Sequence, residues 1–334
     1  MNKNSLLKTV SIICALILVA AVVLSAANVL QLAGVSYENA KKYTAGDADI
    51  SGTVRNLDVD WTGGRVTVRY HNGSGLRLSE TADRAIPADQ RLRWWLDGDT
   101  LRVRYEKPGL HLFRFSTLQK ELTLDLPEGI AFDTVDISVT SGDIGIPSLR
   151  AETLDLSATS GAIRAAAEAQ KVSAQATSGS IALNIENTAK ELTVHTTSAD
   201  ILLNAGDVDR IKLSSTSGDM KAAVGHTADL RVGSTSGNVL MEIGSCEKMK
   251  VESTSGNVTA GLSSIGTVTV HSTSGDVSLS LPEDPGFTAG LKTTGGSVSY
   301  DLPLSRHGSD YVCGSGAGTL DISTTSGNIL LNRR

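Results

Sequence analysis

Apolar and polar side chains alternate in short stretches throughout the second half of the chain. Val239, Met241 and Ile243 form one such stretch, and Leu230 and Val232 form another. A spacing of two residues is typical of a β-strand with one buried face, whereas an amphipathic helix would repeat every ~3.6 residues. The pattern therefore predicts a series of short strands and argues against a helix there.

These stretches are separated by a repeated tripeptide, Thr-Ser-Gly or a close variant of it. Successive copies lie 18 to 21 residues apart, except that 31 residues precede the last copy. The copies begin at Thr140, Thr159, Thr177, Thr197, Thr216, Thr235, Thr254, Thr273, Thr294 and Thr325. A period this regular indicates a solenoid, in which each coil stacks on the previous one.

With two or three strands per coil, each pairing in parallel with the coil above, the fold class is all-β. The chain is predicted to form a single-chain parallel β-helix, a β-solenoid whose default hand is right-handed because parallel crossovers have that hand. Nine steps of about 4.8 Å give a stack of about 43 Å.

The tripeptide is expected at the corner of each coil, where glycine tolerates a positive φ and the hydroxyl groups can bond to the backbone. An aspartate or asparagine often follows, as short polar side chains also suit turns. The expected corner ladder consists of Gly142, Gly161, Gly179, Gly218, Gly237, Gly256, Gly275, Gly296 and Gly327. Nine serines at equivalent corners cannot all be nucleophiles, so a structural role is expected.

The amino-terminal part predicts export. Residues 9–37 carry no charged side chain, and this stretch is long enough for a helix that crosses a bilayer. Continued apolar residues favour an uncleaved anchor, with a signal peptide cleaved near Ser25-Ala26-Ala27 as the alternative. The predicted division is residues 1–8 cytoplasmic, 9–35 transmembrane anchor or signal peptide, 36–48 linker, 49–133 irregular β capping region, and 134–332 solenoid of about ten coils.

Both ends of a solenoid expose unpaired strand edges. Residues 43–133 are expected to cover the first coil, and the charged finish Asn332-Arg333-Arg334 is expected to discourage pairing at the other end. The insertion at residues 303–319 is predicted to form a loop or a lid.

Composition narrows the function classes. The chain has 334 residues, a net charge of −6, 40% hydrophobic and only 4% aromatic residues. An acidic chain is a poor nucleic-acid binder, so no nucleic-acid partner is expected. Residues 133–286 contain no aromatic side chain. A stacking platform for a ligand would therefore involve Trp94 and Trp95, although a capping core is the favoured role for these two tryptophans.

No residue pattern indicates a cofactor or a catalytic centre. His195 and His271 are predicted to lie four coils apart, too far to share a zinc ion. Asp200 and Asp219 occupy equivalent corners of adjacent coils and form a weak calcium candidate. Cys246 and Cys313 are expected to be two unpaired core residues, with a disulfide in an oxidising compartment as the alternative.

Units such as Thr273-Ser274-Gly275-Asp276-Val277, preceded by Leu124-Asp125-Leu126-Pro127, resemble the bacterial putative-adhesin, β-strand-repeat family of unknown function. The resemblance extends from about Ile50 to Leu331. That family includes membrane-anchored accessory proteins encoded beside cell-envelope stress regulators. The resemblance implies a β-strand-repeat fold and supplies no catalytic residues.

The sequence thus predicts a non-enzymatic, adhesin-like interaction or scaffold protein of the bacterial envelope. It would be a single-pass protein of the cell membrane, held by an N-terminal helix, with its C-terminal domain outside the cytoplasm and an envelope or surface protein or glycan as partner. Two alternatives stay open. One is a cell-envelope stress accessory protein that acts on a membrane sensor. The other is a polysaccharide-processing β-helix enzyme, which would need several charged side chains of adjacent coils on one face.

Overall fold

The computed structural model describes residues 36–109, 118–283 and 286–334. The predicted anchor at residues 9–35 lies outside the described residues. Within these ranges no helix is long and apolar enough to cross a membrane.

The regular elements of the described residues are one 3₁₀ helix, Ala40–Lys42, and a series of β-strands. The strands are β1 (Thr44–Ala45), β2 (Ala48–Ile50), β3 (Asn56–His71), β4 (Leu76–Ala82), β5 (Arg93–Asp97), β6 (Thr100–Arg104), β7 (Lys120–Pro127), β8 (Phe132–Ile146), β9 (Arg150–Ser160), β10 (Ile163–Ser178), β11 (Ile181–Ile185), β12 (Ala189–Thr196), β13 (Ile201–Ser215), β14 (Met220–Ser234), β15 (Val239–Ser253), β16 (Val258–Leu262), β17 (Thr267–Ser272), β18 (Val277–Leu281), β19 (Phe287–Thr293), β20 (Val298–Tyr300), β21 (Ser305–His307), β22 (Asp310–Cys313), β23 (Gly318–Thr324) and β24 (Ile329–Arg333).

The predicted solenoid is confirmed by the pairing of its strands. β13, β14 and β15 pair in parallel, and Ile201, Met220 and Val239 lie side by side at intervals of 19 residues. Their alternate side chains are buried, as the two-residue spacing predicted. The coils therefore stack one sequence period above the next. The hand of the coil stays a prediction.

Each coil has two straight sections, which form two faces of the stack. The section that follows the glycine corner, residues 220–224 in one coil, belongs to what we call the post-corner face. The section that leads to the next corner, residues 229–234 in that coil, belongs to the pre-corner face. Inward side chains from both faces, such as Ala222 and Val232, are buried between them. The narrow interior explains why this part of the chain lacks aromatic residues.

The parallel stack begins before residue 134. β3 pairs in parallel with β8 over most of its length, and Leu57 lies beside Val135. On its other side β3 pairs in parallel with β6 and β7, which come later in the sequence. The order of coils at this end is therefore β6–β7, then β3, then β8. The region predicted as an irregular cap contributes two coils of its own.

The carboxyl end has the same interleaved order. β23 lies between β17 and β19, and β24 lies between β18 and β20, all in parallel. The expectation that the charged finish discourages pairing there is wrong. Asn332 and Arg333 pair with Ser280 and Leu281, because the insertion returns the chain to a slot between two coils already made.

Antiparallel strands cover the outer edges of the stack. β5 pairs with β6 and β4 with β7 at the amino-terminal end, and β22 pairs with β19 at the carboxyl end. The insertion predicted as a loop or lid thus contains the hairpin β21–β22. An antiparallel strand pairs with the backbone hydrogen-bonding groups of the edge strand but interrupts the parallel stacking, and this limits the addition of further coils.

Candidate interaction surfaces

The glycine corners stack so closely that a side chain would not fit. A Cβ atom on Gly237 would lie 1.9 Å from the carbonyl oxygen of Gly218, and one on Gly256 would lie 2.1 Å from that of Gly237. Among the predicted ladder glycines only Gly161 and Gly179 have a positive φ. The expected reason for glycine therefore applies to those two, and close backbone approach accounts for the requirement along the ladder.

In several coils a buried hydroxyl group holds the corner, and it comes from the residue before the tripeptide. The backbone N–H of Gly218 donates to Ser215 Oγ at 2.7 Å, and that of Ala199 donates to Thr196 Oγ1 at 2.9 Å. Sequence reasoning assigned this role to the hydroxyls of the tripeptide itself. The available signal was the recurrence of serine or threonine one position earlier, at Thr196, Ser215, Ser234, Ser253, Ser272 and Thr324.

The acidic and amide side chains after the glycine bond to the backbone of the next coil. Asp200 Oδ1 accepts from the N–H of Asp219 at 2.9 Å, and Asp219 Oδ1 accepts from the N–H of Asn238 at 2.8 Å. Within the described part of the chain, no cluster of three or more potential metal ligands occurs. The weak calcium candidate thus consists of two carboxylates that each already cap a peptide group.

The two predicted histidines lie in one column of the pre-corner face, separated by four coils as expected. His195 Nδ1 lies 2.9 Å from Ser214 Oγ, and His271 Nδ1 lies 2.7 Å from Ser323 Oγ. Burial, and then the charge of Lys212, lowers the pKa of His195. Each histidine bonds to the adjacent coil, so the structure does not bring the pair together.

Trp94 and Trp95 point to opposite sides of β5. Trp94 packs against the core, whereas the ring of Trp95 meets that of Tyr43 edge to face, with 5.7 Å between centroids. Lys42 Nζ lies 4.5 Å from the centroid of the Trp95 ring. The two tryptophans therefore do not form a joint stacking platform, and only Trp95 belongs to a surface cluster.

The thiols of Cys246 and Cys313 are both buried, and no disulfide joins them. Burial raises the pKa of Cys246 to about 11. This agrees with the prediction of core residues rather than a bridge.

The post-corner face carries a shallow depression of about 930 Å³ across several coils. Its floor consists of small outward residues, among them Gly145, Ala182 and Ala223. Leu202 and Leu240 border it with 52% and 39% of their surface exposed. Lys221 lies between these leucines in the strand register. Most of the exposed surface of the depression is apolar, although Arg164, Lys221 and Glu242 also line it.

The pre-corner face carries a column of charges that changes sign along the stack. Asp58, Asp136 and Asp155 are in register on successive coils at the amino-terminal side. The same column continues, after two uncharged positions, with Lys212, Arg231 and Lys250.

Two arginines neutralise part of the acidic end. Arg104 Nη1 lies 2.7 Å from Asp58 Oδ1, and Arg102 Nη1 lies 2.6 Å from Asp58 Oδ2. Burial first, and then the charges of Asp58 and Asp155, raise the pKa of Asp136. Negative charge thus accumulates around Asp136. Sequence reasoning missed this column because its first member lies on β3, outside the recognised repeat.

Comparison with known proteins gives a family match and distant structural similarities. A family model described as Toastrack DUF4097 matches residues 126–206 and 168–332. The chain is similar to a solved "putative cell adhesion protein" from Clostridium sporogenes ATCC 15579, with 13% identity, a TM-score of 0.20, and coverage of 88% of this chain and 100% of that one.

It is also similar to "putative adhesins" from Bacteroides fragilis NCTC 9343 and Parabacteroides distasonis ATCC 8503, each 11% identical and each covering 88% of this chain. Their TM-scores are 0.31 and 0.35, and 98% and 97% of those chains are covered. No curated protein matches. Similarities this weak transfer no role to the chain.

Proposed function

Because the chain belongs to the Toastrack DUF4097 family, we propose that it is a non-enzymatic, adhesin-like interaction or scaffold protein of the bacterial envelope. In this proposal residues 9–35 anchor it in the cell membrane, and the right-handed solenoid stands outside the cytoplasm. Its partner is an envelope or surface protein or glycan.

The observation that carries the proposal is the rigid apolar depression of the post-corner face. Leu202 and Leu240 are held in strand register, so contacting a partner costs little ordering of the backbone. The corner serines and aspartates, by contrast, are engaged with the backbone of the solenoid. Leucines and small residues favour a protein surface over a glycan, because glycan sites usually offer an aromatic ring.

The test is capture of partners from the envelope by the full-length protein after cross-linking in intact cells. Leu202→Asp combined with Leu240→Asp should abolish recovery of the partner, because buried aspartates would be left unpaired in the contact. Ser236→Asp, an exposed substitution at a corner between the two faces, is the matched control and should keep the partner. Equal recovery with both variants, or no partner with the wild type, contradicts the proposal.

The in-register carboxylates favour a second candidate, a polysaccharide-processing enzyme. Asp136 and Asp155 lie on adjacent coils, and the raised pKa of Asp136 suits a proton donor. Screening the full-length protein on wall and capsule polymers tests this candidate. Activity that disappears in Asp136→Asn and survives in Asp200→Asn would support it, whereas no turnover on any polymer would reject it.

A further inference from the structure

The pre-corner face is electrostatically complementary to itself. Along its charged column the order is Asp58, Asp136, Asp155, Ser173, Thr193, Lys212, Arg231 and Lys250, one residue per coil. The three acidic and the three basic positions are placed symmetrically about the point between Ser173 and Thr193. A twofold axis through that point, parallel to the strands, exchanges the acidic half with the basic half.

We propose that the pre-corner face binds a second copy of this chain in an antiparallel, twofold-symmetric dimer. Asp155 of each copy then faces Lys212 of the other, and this is the pair that contributes most. Asp136 faces Arg231, whose guanidinium also lies 2.8 Å from Asp229 Oδ2 of its own chain and shares its charge between the two carboxylates. The outer pair, Asp58 with Lys250, contributes least, because Asp58 already holds two arginines and Lys250 Nζ lies 2.8 Å from Glu252 Oε1.

The neighbouring column supports the same arrangement near the axis. Lys171 and Glu191 lie side by side on the two central coils, so each faces the opposite charge in the second copy. One pair is unfavourable, since Asp60 meets Glu252. Both have a cation close by, however: Arg104 lowers the pKa of Asp60, opposing the rise caused by burial, and Lys250 holds Glu252. The balance near the axis is therefore attractive.

In a single copy of the chain, several charges of this column have no opposite charge close by. Like charges directly opposite each other on adjacent strands are destabilising. Within the described residues, Asp136, Asp155 and Lys212 have no salt bridge within 4.0 Å of an opposite charge. A second copy would supply the missing counter-charge to both halves at once.

The face also has the size that a stable dimer requires. Nine steps of about 4.8 Å and strand sections of about six residues at 3.3 Å give roughly 43 Å by 20 Å. This is close to the ~800 Å² per partner of ordinary specific interfaces. The face carries mainly polar residues, so the interaction should weaken with salt.

This inference goes beyond the proposed function, because it concerns the pre-corner face and leaves the depression of the post-corner face free for another partner. In the antiparallel pair the amino-terminal ends of the two stacks lie at opposite ends, so copies anchored in two facing membranes can meet. The two proposals fail separately, because the dimer is measured on pure protein and capture of another partner is measured on cells.

The experiment measures the mass of the full chain in detergent micelles by light scattering, at low and high salt. The wild type should be a dimer in about 50 mM salt and a monomer in about 500 mM. Asp136→Lys with Asp155→Lys should be a monomer, and so should Lys212→Asp with Arg231→Asp. Mixing the two variants should restore a 1:1 dimer, and combining all four changes in one chain should restore a homodimer.

Lys221→Asp, on the post-corner face, is the matched control and should remain a dimer. Thermal unfolding of every variant shows that the fold is retained. A wild type that is monomeric at low salt overturns the inference. So does a dimer that survives both reversals, or a mixture of the two variants that stays monomeric.

Discussion

Lys120 and Glu80 form an ion pair that is wholly enclosed by the amino-terminal end of the stack. Lys120 Nζ lies 2.8 Å from Glu80 Oε2, and 0% and 3% of the two side chains are exposed. Lys120 Nζ also donates to the carbonyl oxygens of Gln90 and Tyr105, and it lies 4.7 Å from the centroid of the Trp61 ring. One ammonium group thus ties the antiparallel edge strand β4 to the outermost coil and the loop before β5.

Removing one member of this pair should destabilise the protein strongly. Glu80→Gln leaves a buried charge without its counter-ion, at a cost of about 3–5 kcal/mol in the free energy of unfolding. Lys120→Met alone removes the ammonium, and Lys120→Met combined with Glu80→Gln removes both charges and should cost clearly less than the sum of the two single changes. Urea unfolding of the four proteins measures this coupling, and additive losses would contradict it.

The penalty of Glu80→Gln should also depend on pH. Burial lowers the pKa of Lys120, and the charge of Glu80 opposes that effect. A lysine whose pKa is lower in the folded state binds fewer protons there, so stability rises with pH up to its ordinary value of 10.5. The penalty should therefore be smaller at pH 10 than at pH 7. A penalty that grows over this range would show that the ammonium is not the group responsible.

Glycine at the corner should be indispensable where the backbones of adjacent coils approach each other closely. Gly237→Ala places a Cβ within 1.9 Å of the Gly218 oxygen, and displacing that coil should cost about 1–3 kcal/mol. Gly233→Ala is the matched control, because nothing lies within 4 Å of its Cβ position. Chemical denaturation of both variants compares them, and equal stability would refute the close-approach explanation.

The aspartate after the glycine should act through its oxygen rather than its charge. Asp219→Asn keeps the acceptor for the N–H of Asn238 and should leave stability nearly unchanged. Asp219→Ala removes the acceptor and should cost about 1 kcal/mol. Calcium should not change the melting temperature of the wild type. A calcium-dependent rise that Asp219→Asn abolishes would instead support the metal site considered from the sequence.

Cys246 should react slowly until the protein unfolds. With Cys14 and Cys313 replaced by serine and alanine, the remaining thiol has a pKa of about 11 against an ordinary 9.0. Its thiolate should be roughly 100-fold scarcer at pH 8 than in the unfolded chain. Iodoacetamide labelling with and without urea measures the ratio. Because this pKa is raised in the folded state, its contribution to stability is present below pH 9 and disappears as the pH rises through about 11.

Much of the solenoid could be predicted from the sequence, because its signals are local and repeated. The two-residue alternation around Val239 fixes which side chains face inward, and the 19-residue period fixes the register of the coils. The interleaved ends could not be predicted in the same way. Leu57 and Leu320 occupy coils that are out of sequence order, and nothing in their local pattern reveals which neighbours they have.

The candidate surfaces were less predictable for a related reason. A charged column is made by one residue from each coil, so Asp58 and Arg231 belong together only once every register is known. The corner residues, which stand out most in the sequence, are engaged with the backbone. Leu202 and Leu240, which border the depression, look in sequence like ordinary strand residues.

The placement of β23 and β24 between earlier coils constrains both synthesis and evolution. β23 and β24 come after β19 and β20 in the sequence but must enter a slot between that coil and the coil of β17 and β18, so assembly cannot be completed progressively from one end. Duplicating a unit near either terminus would disturb this closure. An added unit would fit most simply among the regular coils around β13 to β15, where each strand pairs with the strands next to it in sequence.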